Sequence, residues 1–286
     1  MAASKRVSTG IEGLDALIEQ GFLQGRSYLV TGDVGTGKTT TCLQFLLKGL
    51  VDGEKAVYVT VDEKPSDILE SAASLGWDLQ PYIQDKRLVV LDASGYFSSR
   101  SGAAREREVD IQRIVTDLTG YISRMQAQRL AIDPVGPLIK SADGSSVRTE
   151  DQARLLIGLF QSQPQTTNLL SSHPMATRDQ DRASAIEEFL ATGVLALGLA
   201  RLGERFVRTL WIKKMRGTAV EPNEYEFSIT KGKGIVLMSE VFRRLDDSSR
   251  PLQAAEGSSA AKQSLPLKEL LQPFEPSETP TQKRKS

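Results

Sequence analysis

Gly32-Asp33-Val34-Gly35-Thr36-Gly37-Lys38-Thr39 decides how the whole chain is read. The octet fits G-x-x-x-x-G-K-[ST], whose glycines let backbone N–H groups bend inward around phosphate oxygens. Ser27-Tyr28-Leu29-Val30 precedes it as a short apolar strand. Leu43, Leu46, Leu47 and Leu50 follow at the i, i+3, i+4 spacing of a helix that buries one face. Strand, glycine-rich turn and helix together turn a pattern into a site. The helix points its positive end at the phosphates. Lys38 is placed to reach the β- and γ-phosphates, and the Thr39 hydroxyl to sit on Mg²⁺. Gly35, Thr36, Gly37, Lys38, Thr39 and Thr40 form the candidate cradle.

Working outward, 286 residues suffice for one large domain or two small ones. Lys and Arg total 36 against 36 Asp and Glu, which argues against a surface that is a nucleic-acid footprint throughout. Cys42, the single cysteine, can form neither an intramolecular disulfide nor a cysteine-based zinc site and reads as a small core residue. No apolar run approaches membrane length and the first residues lack the apolar stretch of a signal peptide, so a cytoplasmic protein is expected.

Taken in order, residues 7–26 read as a turn and short amphipathic helix, and Ala56–Val61 as a buried strand ending in Asp62-Glu63. Pro65 suits a first helical position and Gly76 a stop, giving a helix over 65–75. Leu88–Leu91 reads as a further buried strand and 95–108 as a mobile loop. Ile111, Ile114, Val115, Leu118, Ile122 and Met125 share one helical face, and Leu130–Asp133 is the next strand. Thr149 and Gln152 match a capping box that opens a helix with Leu155, Leu156, Leu159 and Phe160 inward. Thr167–Leu170 is a strand leading to Ser171-Ser172-His173. From about residue 193 the texture changes to hairpins: Val194–Leu199, Phe206–Ile212, Tyr225–Ile229 and Ile235–Leu237. The expected class is α/β, a mostly parallel sheet flanked by helices that finishes in antiparallel strands. Residues 1–244 are expected to form the domain and 245–286 a disordered polar tail, with a short docking helix at Leu265–Phe274 as an option.

Hydrolysis of a bound nucleotide needs a magnesium-side carboxylate, a carboxylate for water and positive charge on the transition state. Asp133, closing an apolar strand, suits the first role. Asp62 and Glu63 suit the second, on a strand expected beside that of the glycine-rich turn. As neighbours on a strand they would point to opposite faces, leaving one toward the γ-phosphate. His173 ends a strand and leaves two equal readings open, a phosphate-sensing side chain and a surface histidine.

The chain resembles a KaiC-type domain of the RecA-like P-loop ATPases over residues 7–240. The resemblance is carried by Ser8-Thr9-Gly10-Ile11-Glu12-Gly13-Leu14-Asp15, by Val57 through Glu63, by Gly76-Trp77-Asp78-Leu79, by Leu91-Asp92-Ala93-Ser94 and by Lys214-Met215-Arg216-Gly217-Thr218. It implies ATP with Mg²⁺, held at the interfaces of a hexameric ring, with Thr39 and Asp133 on the metal side. It implies Asp62 as general base, in a place where the family usually has Glu, with Glu63 as the second acid. Asp retracts the carboxylate by about 1.5 Å, and slow hydrolysis is expected. Lys214 and Arg216 take the place of cations that reach a neighbour's γ-phosphate, while Ser74, Met215 and Thr218 fall among nucleotide-side positions. Val220 and Lys231 stand where the family has polar or acidic residues. Glu187-Glu188 occupies the place of a phosphorylated Ser-Thr pair, and no autokinase activity is expected there.

The resemblance leaves three functions: a slow ATPase acting as an ATP-dependent oligomer switch, a DNA-recombination accessory ATPase, or a nucleotide-sensing partner of signalling proteins with vestigial hydrolysis. For the second, the loops at 137–148 and 174–186 offer Lys140, Arg148, Arg178 and Arg182, but lack aromatics for base stacking and carry Asp143, Asp179 and Asp181. DNA is therefore not the expected partner.

Overall fold

The structure is a computed structural model that describes residues 5–99, 107–139, 145–173, 188, 191–221 and 223–240. The chain divides into two units, Met1–Ser248 and Ser249–Ser286, and every described residue belongs to the first. The expected tail at 245–286 and its docking helix lie outside the described residues.

An N-terminal clip comes first: strand β1 (Arg6–Val7), the short helix α1 (Leu14–Leu17) and strand β2 (Phe22–Leu23), which pairs antiparallel with β1. Alternating units follow: β3 (Ser27–Gly32), α2 (Lys38–Val51), β4 (Ala56–Thr60), α3 (Pro65–Ser74), α4 (Gln80–Gln84) and β5 (Leu88–Asp92). A small ribbon of β6 (Phe97–Ser99) and β7 (Arg107–Val109) leads into α5 (Ile111–Met125), β8 (Arg129–Asp133), α6 (Gly136–Ile139), α7 (Ser146–Ser162) and β9 (Thr167–Ser172). Four longer strands finish the domain: β10 (Gly193–Leu202), β11 (Arg205–Met215), β12 (Glu224–Thr230) and β13 (Gly234–Glu240). Among the described residues the main sheet has nine strands in the order β13-β12-β11-β10-β3-β9-β8-β4-β5. From β10 to β5 every pairing is parallel; β10 to β13 are antiparallel neighbours.

Both faces of the parallel part are covered, so its strands are apolar on both sides. Leu43, Leu46 and Leu50 of α2 pack on one face with Tyr28 and Tyr58. Ile114, Leu118 and Ile122 of α5 and Leu156 and Leu159 of α7 pack on the other with Val57 and Leu130. Cys42 is buried in the core, as expected. Val115 and Met125 pack at the margin of the second core. Pro65 opens α3 and Gly76 follows it with φ +84°, a left-handed step that stops the helix.

Several local expectations are corrected. The α7 cap is Ser145, whose hydroxyl accepts from the Arg148 N–H at 3.4 Å, and Thr149 lies one turn inside with its hydroxyl on the Ser145 carbonyl. Leu155 faces outward, 38% exposed. β5 is a sheet edge and only half buried, where a fully buried strand was expected. Residues 97–99 and 107–108 of the expected loop belong to paired strands, and 100–106 lie outside the described residues.

Arg129 fastens the N-terminal clip to this core. Only 1% exposed, it donates through Nη1 to the carbonyls of Ser8 (2.8 Å) and Phe45 (2.6 Å), and pairs through Nε with Glu54. Its guanidinium lies 4.6 Å from the Phe45 ring centre. Arg129→Met keeps the bulk but strands two carbonyls and a carboxylate, so urea unfolding should show a loss of about 3 kcal/mol.

Candidate active site

Parallel strands end on one side, so the residues that follow β3, β4, β8 and β9 gather at one rim of the sheet. Register sets their level: Thr60 lies opposite Asp133, and Thr31 opposite Ser172. A cleft of about 430 Å³ opens there, within the usual range for a small-molecule site. Gly35, Gly37, Lys38, Thr39 and Thr40 line one wall; Asp62, Glu63, Asp133 and His173 line the other. Thr36 is buried and braces the turn from below, its hydroxyl donating to the Asp33 carbonyl at 2.8 Å.

The glycine-rich turn has the shape expected of a cradle. Gly37 caps α2 with φ +109°, which leaves the first-turn N–H groups of the helix pointing toward the cleft. That left-handed backbone favours glycine, and a Cβ there would come 3.1 Å from Ile229 Cδ1, which would have to give by a few tenths of an ångström. Lys38 is 7% exposed, and its ammonium donates to the Gly32 and Asp33 carbonyls at 2.7 and 2.8 Å. Burial lowers its pKa, partly offset by Asp133 and Asp33.

Asp133 is 7% exposed and accepts from the Tyr58 hydroxyl at 2.6 Å and from the Ser171 hydroxyl. Asp62 and Glu63 correct the alternation argument. β4 ends at Thr60, and both acids sit in the bend beyond it, held by Thr60 Oγ1 donating to the Glu63 carbonyl (2.7 Å) and Val61 N–H to the Asp133 carbonyl (3.1 Å). They therefore share the cleft. The expectation that their strand neighbours β3 is also corrected: β9 and β8 lie between. The Glu63 carboxyl is held above the ordinary range, first by desolvation and then by Asp133, Asp67 and Asp62.

The remaining candidates lie elsewhere. Met215 pairs with Gly193, which pairs with Tyr28 at the start of β3, whereas Leu197 pairs with Gly32 at its end. At ~3.3 Å per residue the tip of β11 is ~13 Å along the sheet from the glycine-rich turn. Lys214 donates to the carbonyls of Glu188 (2.9 Å) and Ala191 (2.7 Å), and burial followed by Arg216 lowers its pKa. Met215 packs into the core, Arg216 is exposed, and Thr218 accepts from Arg6 Nη1 at 3.0 Å. Ser74 ends α3 with its hydroxyl on the Ser71 carbonyl. Val220 packs at the core margin and Lys231 is exposed. Glu188 pairs with Lys213; Glu187, Lys140, Arg178 and Arg182 lie outside the described residues.

Sequence reasoning missed three contributors. Arg208 of β11 donates through Nε to the Gly35 carbonyl at 3.3 Å. Ile229 of β12 packs over Gly37. Tyr58 supplies a hydroxyl from a strand read only as core. Strand alternation shows which way such residues face, but not which neighbour they meet.

The donor set fits Mg²⁺ and a polyphosphate. Among the described residues no three His, Cys, Asp or Glu groups cluster as a stand-alone metal site. A hydroxyl (Thr39) and a carboxylate (Asp133) beside a phosphate cradle match a cation that takes its other ligands from phosphate and water. A Cβ built at Gly35 meets nothing within 4 Å, so the turn is open on that side. No helix among the described residues is long and apolar enough to cross a membrane.

Sheet order, glycine-rich turn and acid-lined cleft define a P-loop ATPase domain of the RecA-like kind. The chain belongs to the KaiC ATPase family, whose model matches residues 7–241. It is 35% identical over 226 residues to the circadian clock oscillator protein KaiC of Acaryochloris marina, covering 79% of this chain and 42% of that protein. To the KaiC of Synechococcus elongatus it is 33% identical over 256 residues, covering 89% and 48%. The chain thus spans less than half the length of these relatives. The crystal structure of a KaiC-like protein from the hyperthermophilic archaeon Pyrococcus horikoshii superposes with a TM-score of 0.69 at 28% identity, covering 82% of this chain and all of that one.

Proposed function

We propose that the chain is a slow, magnesium-dependent ATPase whose site is completed by a second copy of itself, so that ATP controls assembly and conformation. The observation that carries this is the split of charge. The cleft holds three carboxylates and one lysine, while Lys214 and Arg216 stand at the opposite pole of the same sheet. Those cations are too far away to serve their own cleft.

In this reading Gly35 to Thr40 and Lys38 hold the β- and γ-phosphates, with Arg208 as a neighbouring cation on the rim. Thr39 and Asp133 hold Mg²⁺, which when bound neutralises phosphate charge. Asp62, with Glu63 beside it, orients a water and accepts its proton as water oxygen bonds to the γ-phosphorus and the bond to the bridging oxygen breaks. Arg216 of a neighbouring copy meets the charge that develops. The shorter Asp62 side chain sets its carboxylate back by about 1.5 Å, which accounts for slow turnover. A ring of six, as the family resemblance implies, is the proposed assembly, and the cytoplasm its proposed place.

Gel filtration with and without Mg-ATP, combined with phosphate release, tests the reading. A larger species that forms with ATP and carries the phosphate-releasing activity is expected. Release by a monomer at a concentration-independent specific rate would overturn it.

The pH profile follows from Glu63. A base works ionised, and a raised pKa keeps the proton on to higher pH. Activity should therefore begin to fall on acidification above the ordinary carboxylate range. Glu63→Gln should move that acid limb downward if Glu63 shares the base role; an unchanged limb assigns the role to Asp62 alone.

A further inference from the structure

We infer that Tyr58 and Ser171 form a hydroxyl clamp that positions the Asp133 carboxylate for the metal-bound nucleotide, and so set the Mg²⁺ requirement of the site. The inference rests on the assignment of Asp133 under the proposed function and deepens it.

Tyr58 and Ser171 stand on different strands, on opposite sides of the one that carries Asp133: Tyr58 on β4, Ser171 on β9. Their exposures are 1% and 0%. Thr60 pairs with Asp133, so Tyr58, two residues earlier on β4, projects on the same face as Asp133. Two residues of strand rise about 6.6 Å, a span that a tyrosine side chain crosses and a serine or threonine does not. The Tyr58 hydroxyl donates to Asp133 Oδ2 at 2.6 Å, and Ser171 donates to Oδ1 from the other side. Ser171 also accepts the Val135 N–H through its carbonyl at 2.8 Å, so one residue holds both the carboxylate and the chain just beyond it. Both oxygens of Asp133 are thus fixed in rotation by donors that are themselves locked in the core. Neither donor lines the cleft. They are positioning residues, and the carboxylate they orient is the buried acid nearest the cradle.

A purely structural alternative exists for each, since a buried phenol needs an acceptor and a strand serine needs a partner. What separates the readings is metal dependence. Partners that orient a metal-side carboxylate change metal affinity by about 10- to 100-fold when removed. Packing partners change stability without moving the metal midpoint.

The experiment measures the ATP-induced rise in melting temperature of the full chain as a function of Mg²⁺, for wild type, Tyr58→Phe, Ser171→Ala and Ser171→Thr. The clamp predicts that the Mg²⁺ midpoint rises about tenfold in Tyr58→Phe and Ser171→Ala and returns toward wild type in Ser171→Thr. Binding of a fluorescent ATP analogue without Mg²⁺ should stay unchanged in all four. Midpoints equal to wild type in both deletion variants would overturn the clamp, whatever their melting temperatures without ligand. If a variant fails to fold, the other strand's variant decides. A wild-type chain whose nucleotide stabilisation ignores Mg²⁺ would instead overturn the assignment of Asp133, and the clamp with it.

Discussion

Arg216→Ala is expected to lower turnover by about 10³-fold while ATP affinity stays within about twofold of wild type. Arg216 is exposed and follows β11, whose tip pairs through Gly193 with the beginning of β3, while the phosphate cradle follows the end of β3. A side chain placed there cannot hold the nucleotide of its own chain, so its removal should spare binding. It can meet charge that develops on a neighbour's γ-phosphate, and a cation supplied in trans at that moment is worth 10³- to 10⁵-fold. Steady-state phosphate release and equilibrium nucleotide binding on the same preparation separate the two effects. Equal loss of binding and turnover would place Arg216 in the ground-state site instead. Lys214 should behave differently: its ammonium is held by the Glu188 and Ala191 carbonyls of its own chain, so Lys214→Ala should also shift stability.

Lys38→Ala is the second large effect, with ATP affinity expected to fall by about 100-fold or more. The estimate follows from losing two charge-assisted bonds to phosphate at about 1.5–3 kcal/mol each. In the structure the ammonium rests on the carbonyls of Gly32 and Asp33, within the turn whose amides form the cradle. Its loss removes a brace of the turn and, under the proposed function, a phosphate contact with it. Equilibrium binding of ATP and gel filtration with ATP should show both defects: weak retention and no ATP-dependent species. Retained affinity with normal assembly would show that phosphates are held elsewhere.

How much of this could be read from the chain depended on how local the physics was. The strand, glycine-rich turn and helix were legible because they are consecutive and each has its own pattern, from Ser27 through Leu50. The helix over Ile111–Met125 was legible for the same reason. Neighbour relations were not. The β4 acids looked adjacent to β3 because they come next in sequence, yet β9 and β8 are inserted between, and the crossover order has no local signal. The Asp62-Glu63 alternation failed because the strand stops at Thr60, where its hydroxyl turns back to the Glu63 carbonyl. Thr149 looked like a cap because it sits three residues before a glutamine, but Ser145 starts the helix one turn earlier. Arg129 lies just outside the strand read at Leu130–Asp133 and drew no reading of its own; its burial depends on Ser8, Phe45 and Glu54, which only the fold assembles.

The most direct test mixes two inactive proteins. Copies with Asp62→Asn and Glu63→Gln hold ATP and keep Arg216 but lack the acid pair; Arg216→Ala copies lack the cation but keep the acids. If the site is shared between copies, equal mixing should restore about one quarter of wild-type turnover, the chance that an intact acid pair meets an intact neighbour's cation in a closed ring. Turnover that stays at the sum of the two variants, in samples shown to contain mixed assemblies, would contradict a site built by two chains.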